Sequence, residues 1–119
     1  MLLQDKVAIV TGIGPAMGRS IALAYAREGA KLVLAARRDD RLQAVRDEVE
    51  AAGAEVLAVP TDITNREACK RLVDQTLDRF GHVDILVQNG HYDGDYKIVA
   101  DSDLDDWRAI MEVNLFGAL

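Results

Sequence analysis

The sequence is poor in the residues that staple, anchor or interrupt a fold. A single cysteine, Cys69, rules out an internal disulfide and fits a reducing compartment. Two prolines in 119 residues leave most helical patterns unbroken. Aromatic residues make up 5%, so burial falls to alanine, valine and leucine. No apolar run approaches the ~20 residues of a membrane-spanning helix, and the N-terminus lacks the basic segment and apolar core of a secretory leader. The expectation is a cytoplasmic protein without a membrane partner. Basic charge is outweighed, 14 Lys and Arg against 20 Asp and Glu, for a formal net charge of −6. That balance argues against nucleic acid as a partner. No metal site is expected.

What is present is a strict alternation. Four short apolar runs, Lys6–Thr11, Lys31–Ala36, Glu55–Val59 and Val83–Gln88, lack the polar/apolar alternation of half-exposed strands. They read as strands covered on both faces. Helical patterns separate them. Ala16–Glu28 stops at Gly29; Arg41–Ala52 carries Leu42, Val45 and Val49 on one stripe and stops at Gly53. Thr64-Asn65-Arg66-Glu67 reads as a capping box for a helix with Leu72, Leu77 and Phe80, ending before Gly81. Ser102 reads as the N-cap of a last helix whose Leu104, Trp107, Ile110 and Met111 face inward. The order β-α-β-α-β-α-β-α with right-handed crossovers gives an α/β, Rossmann-type, doubly wound parallel sheet in strand order 3-2-1-4, one domain over residues 1–119. The direction of winding reverses between the first and fourth strands, which opens a crevice at their C-terminal ends.

The first run enters that crevice through Val10-Thr11-Gly12-Ile13-Gly14-Pro15-Ala16-Met17-Gly18. Glycines permit a tight turn and a close backbone approach, and the helix that follows aims free N–H groups and its positive dipole end at an anion. Gly12, Gly14, Met17 and Gly18 are the expected contacts. The second strand ends at Ala36 and continues Arg37-Arg38-Asp39-Asp40. A carboxylate at this point bonds ribose hydroxyls; a guanidinium suits a 2′-phosphate. NADP(H) is therefore expected over NAD(H), with Arg37 ahead of Arg38. The alternative is two solvated arginines neutralised by Asp39 and Asp40. Asp62 after the third strand either accepts from an adenine amino group or forms the turn, and Ile63 beside it is expected to touch the same ligand.

These residues together resemble the short-chain dehydrogenase/reductase family over the whole chain. The resemblance rests on Thr11-Gly12 and Gly18, Arg37, Asp62-Ile63-Thr64, Phe80-Gly81-His82-Val83-Asp84-Ile85-Leu86-Val87 and Val113-Asn114-Leu115-Phe116-Gly117. It implies that Asp62 contacts adenine and that Asn89, with Gly90, stabilises the sheet beside the cofactor. It also implies that Asn114 is the asparagine of the catalytic group, kinking its helix and supporting a water-linked proton path. The implied activity is an oxidoreductase interconverting a carbonyl and an alcohol on a small molecule by hydride transfer, in a homo-oligomer.

The chain departs from the family pattern in three places. Ala16 stands at the middle glycine of the turn, with Gly14 two residues earlier and Pro15 removing a backbone donor; a re-shaped loop is expected. Gln88-Asn89-Gly90-His91 replaces Asn-Asn-Ala-Gly, and His91 is read as a solvent-facing loop residue in preference to a base. The family's serine and Tyr-x-x-x-Lys pair have no counterpart in the 119 residues, since Tyr96-Lys97 is adjacent and Tyr92 has no such lysine. Ser102 is read as a cap, and Cys69 and His82 as core or turn residues. The expectation is thus the cofactor-binding portion of such an enzyme, truncated before its remaining strands and inactive alone. Two other readings stand beside it. One is an NADP(H)-binding module without chemistry, or a truncated product. The other is a Rossmann-like methyltransferase, disfavoured because S-adenosylmethionine offers ribose hydroxyls, not a phosphate, to Arg37.

Overall fold

A computed structural model describes all residues, 1–119. Four parallel strands, β1 (Val7–Val10), β2 (Lys31–Ala36), β3 (Val56–Pro60) and β4 (Ile85–Val87), form one sheet in the order β3-β2-β1-β4. This is the strand order expected from the sequence. Register is set by Val7 opposite Lys31, Ala8 opposite Ile85 and Leu32 opposite Val56. The helices are α1 (Met17–Arg27), α2 (Asp39–Ala51), α3 (Arg66–Phe80) and α4 (Leu104–Met111), the last running into a π-helical turn at Glu112–Phe116.

Successive strand residues point to opposite faces, and the core divides accordingly. Ala8, Val10, Leu32 and Leu34 pack with Ala22 and Ala26 of α1 and with Leu42, Val45 and Val49 of α2. Ile9, Val33, Ala35 and Val59 pack on the other face against Leu72 of α3. Covering both faces explains why these strands read as unbroken apolar runs. The alanines at 22 and 26 let α1 lie close over the sheet.

Several local expectations are corrected. The cap of α3 is Asn65, whose side chain accepts from the Ala68 N–H at 3.0 Å; Thr64 instead donates its hydroxyl to Asp62. The cap of α4 is Asp103, accepting from Asp105 N–H, while the Ser102 hydroxyl donates back to the Ile98 carbonyl. In α3 the buried positions are Ala68, Leu72 and Thr76, and Leu77 is exposed. The stripe of α4 does not face inward: no residue of α4 is buried, and Leu104, Trp107 and Met111 are about half exposed. β4 is correspondingly the least buried strand.

Candidate functional site

The C-terminal ends of β1 and β2 and the loops after β3 and β4 enclose a cleft of about 390 Å³, within the range of small-molecule sites. Its floor is the glycine turn. Gly12 has φ +67°, and a Cβ there would stand 2.5 Å from the Asn89 carbonyl carbon, so the position admits only glycine without rearrangement. A Cβ on Gly18 would lie 2.7 Å from the Gly12 oxygen, so α1 and the turn touch backbone to backbone. Around Gly14 there is no protein atom within 4 Å of such a Cβ; the turn faces open cleft here.

The turn is held from β4. Buried Thr11 accepts the N–H groups of Asn89 (3.1 Å) and Gly90 (3.3 Å) on its hydroxyl oxygen. Asn89 Nδ2 donates to the Gly12 carbonyl at 3.1 Å. The start of α1 is left uncapped: Ala16 makes no capping bond, and no backbone carbonyl accepts from the N–H groups of Met17 or Gly18. Unsatisfied N–H groups at the positive end of a helix dipole, under an open glycine, form a cradle for a phosphate.

The two arginines after β2 differ. Arg38 is engaged by Asp40, with Nη2 at 3.0 Å and Nε at 3.3 Å from its carboxylate, and Asp39 accepts from Gln43. Arg37 has no carboxylate within ion-pair distance. Neutralisation by the neighbouring aspartates therefore applies to Arg38 and not to Arg37. Both line the cleft, and so does Arg41 from the first turn of α2. Asp62 shares the cleft with them. Its Oδ1 accepts from the Thr64 hydroxyl (2.7 Å) and N–H (2.9 Å), so it builds the turn while lining the cleft. Those two bonds, with the Arg37 charge, hold its carboxyl below the usual range.

Gly12, Gly14, Met17, Gly18, Arg37, Arg38, Asp62, Ile63, Asn89 and Gly90 all line this one cleft. Asn114 does not. Its side chain accepts from Tyr92 N–H at 2.7 Å and donates to the Tyr92 carbonyl at 2.9 Å, pinning the loop after β4 to the π-helical turn. His91, although two-thirds exposed, lines the cleft, with Nδ1 3.4 Å from the Asn89 carbonyl and Nε2 3.8 Å from Asp93. Sequence reasoning missed Arg41, Tyr92 and Val113 as lining residues. For Arg41 a signal existed: it lies three residues beyond Arg38 at the start of a helix, where such residues share a face. Tyr92 lies two residues after Gly90 and Val113 beside Asn114, but neither residue type carries a binding signal of its own. No group of three His, Cys, Asp or Glu side chains is placed to hold a metal ion, and no helix is long and apolar enough to cross a membrane.

A model of the short chain dehydrogenase family matches residues 6–119. An 11-beta-hydroxysteroid dehydrogenase of Pinus massoniana is 36% identical over 118 residues, covering 98% of this chain and 33% of its own length. An oxidoreductase of Staphylococcus aureus strain N315 is 39% identical over 118 residues, covering 99% of this chain and 50% of its own length. Among solved structures, NAD+-bound xylitol dehydrogenase superposes with a TM-score of 0.96 at 31% identity, covering 99% of this chain and 45% of that one. The chain thus spans between a third and a half of the length of these three relatives.

Proposed function

The chain belongs to the short chain dehydrogenase family of oxidoreductases, and from that premise we propose that it is the NADP(H)-binding portion of an enzyme interconverting a carbonyl and an alcohol on a small molecule. Proteins of this fold bind a nicotinamide dinucleotide, as the xylitol dehydrogenase does. The preference for the 2′-phosphorylated form is carried by one observation: an unpaired Arg37 follows β2, with Ala36 where a ribose-binding carboxylate would stand. An acid there accepts from ribose hydroxyls and repels a phosphate; a free guanidinium does the reverse.

In this reading the uncapped start of α1 and the open backbone at Gly14 hold the pyrophosphate. Arg37, with Arg41 behind it, pairs with the 2′-phosphate, and the Asp62–Ile63 segment borders the adenine. A dinucleotide held there would supply hydride-transfer chemistry between a carbonyl and an alcohol carbon. The residues of this chain bind and orient. Proton transfer is not assigned to them, because none of the three tyrosines precedes a lysine by four residues.

The test is a pair of titrations, NADPH and NADH, on the protein and on Arg37→Ala. Charge-assisted hydrogen bonds contribute about 1.5–3 kcal/mol each. NADPH is expected to bind at least about tenfold tighter than NADH, and Arg37→Ala is expected to remove most of that margin while leaving NADH within about twofold. Equal affinity for the two dinucleotides, or tighter NADH, overturns the assignment.

A further inference from the structure

The loop between β4 and α4 is held by a second anchor that lies outside the cleft. Asp106, on α4, accepts the Tyr92 hydroxyl on Oδ1 at 2.9 Å and the Asp95 N–H on Oδ2 at 2.9 Å. One carboxylate therefore fixes both a side chain and the backbone of the same loop. Between them, Gly94 has φ +69°, and a Cβ there would lie 2.6 Å from Ile110 Cδ1 and 2.7 Å from Asp106 Oδ2, so the loop backbone rests directly on α4. Tyr92, whose main chain is already taken by Asn114, is a wall of the cleft, and Asp106 is not. The charge balance is consistent with this geometry. Asp106 raises the Tyr92 phenol above its ordinary value, while Arg37 lies near enough to oppose that shift.

We propose that Asp106 is a positioning residue for dinucleotide binding: it locks the Tyr92–Asp95 loop onto α4 and so fixes Tyr92 as a wall of the cleft that the glycine turn also lines. The inference rests on the reading of the cleft as a dinucleotide site. Its consequence is that a residue with no contact to the ligand sets the ligand's affinity. Two charge-assisted bonds hold Tyr92 and the loop against solvent. Without them Asn114 still holds the Tyr92 backbone, but the Tyr92 side chain and the Asp95 segment lose their tie to α4, and the ligand must order them on binding.

The experiment titrates NADPH into the protein and into Asp106→Ala, Tyr92→Phe and Asp105→Ala, alongside thermal melts and hydrogen exchange of the loop amides. Asp105 is the control, since it pairs only with exposed Arg108 one turn along. Asp106→Ala is expected to raise the NADPH Kd about tenfold, in line with the loss of charged hydrogen bonds, and to speed exchange at Asp95. Tyr92→Phe keeps the ring and the Asp95 bond and is expected to give a smaller rise. Asp105→Ala is expected to match the unaltered protein. If Asp106→Ala does not fold, Asp106→Asn, which keeps one acceptor oxygen, is expected to raise the NADPH Kd above that of the unaltered protein and of Asp105→Ala. An Asp106 variant with a lowered Tm but an unchanged Kd overturns the proposal alone. Failure of the unaltered protein to bind either dinucleotide overturns the site reading and this inference together.

Discussion

Gly12 and Gly14 lie two residues apart in one turn and answer to different constraints. Gly12 is required by the protein itself, through its positive φ and the Asn89 backbone 2.5 Å from where a Cβ would be. Gly14 meets nothing of the protein within 4 Å. Gly12→Ala is therefore expected to cost more than about 1 kcal/mol of folding stability, the ordinary penalty where alanine is forced to a positive φ. Gly14→Ala is expected to stay within about 0.5 kcal/mol and to act on dinucleotide affinity, because its methyl would enter the cleft. Urea unfolding of both variants with parallel NADPH titration separates the two effects. A Gly12→Ala protein as stable as the parent would show that the turn can rearrange. The same contrast holds between adjacent arginines: Arg38 is spent on Asp40 and Arg37 is not. Residue type alone gives the pair equal claims on a phosphate; the pairing decides between them.

At the scale of elements, the edge strand β4 depends on a polar tie at its start. Asp84 accepts the Val7 N–H at 2.8 Å and lies 3.0 Å from His82 Nε2. The Val7 bond, followed by the His82 and Lys6 charges, lowers its carboxyl below the ordinary value. A carboxyl lowered by folding contributes stability that is complete above its unfolded pKa, about 3.9, and is lost as pH falls through the folded value. Asp84→Asn keeps an acceptor for Val7 and removes only the charge. It is expected to be less stable than the parent at pH 6, with the gap narrowing as pH falls below the unfolded carboxyl range through the folded value; a pH-independent gap in urea midpoints would assign the effect to shape, not charge. What was legible in the sequence follows the same logic of local and distant causes. Strand order was readable because crossovers are right-handed and short, and the stripe Leu42, Val45, Val49 because its period is helical. Cap identity slipped by one residue at both Thr64/Asn65 and Ser102/Asp103, where neighbouring oxygen-bearing side chains compete and only backbone geometry chooses. The α4 stripe was read as inward because periodicity tells which residues share a face and not what lies opposite. The ten cleft residues were legible because they sit in the turns after the strands or, for Met17 and Gly18, at the start of the helix that follows; the Tyr92–Asp106 anchor was not, since it forms only where α4 meets the loop after β4.

The whole molecule is drawn out along one axis. Its Cα radius of gyration is 15.4 Å and its extents are 51 × 26 × 25 Å, against about 13.5 Å for a compact domain of this length. α4 and the π-helical turn leave Leu104, Trp107, Met111, Leu115 and Phe116 largely exposed, and Trp107, Met111 and Phe116 border a shallow groove. β4 pairs on one side only, with β1, and its Leu86 is exposed. An unpaired strand edge beside an exposed apolar helix is a template for association. Charge works against it: a formal −6 repels a second copy at long range, but such repulsion between exposed charges is screened within about 8 Å at physiological ionic strength. The 119-residue polypeptide is therefore expected to self-associate in 0.15 M salt, more strongly as salt rises, with mass by light scattering increasing with concentration. Trp107→Asp on the α4 face is expected to shift it toward monomer, and Val73→Asp, exposed on α3 and not among the residues bordering that groove, to leave association unchanged. A monomer at all concentrations, or equal dissociation by both substitutions, would place the driving surface elsewhere or show that none exists. Dinucleotide affinity gives an independent check, because Tyr92 is bound to α4 through Asp106 and Asn114: if association orders α4, NADPH is expected to bind more tightly at concentrations where the copies meet.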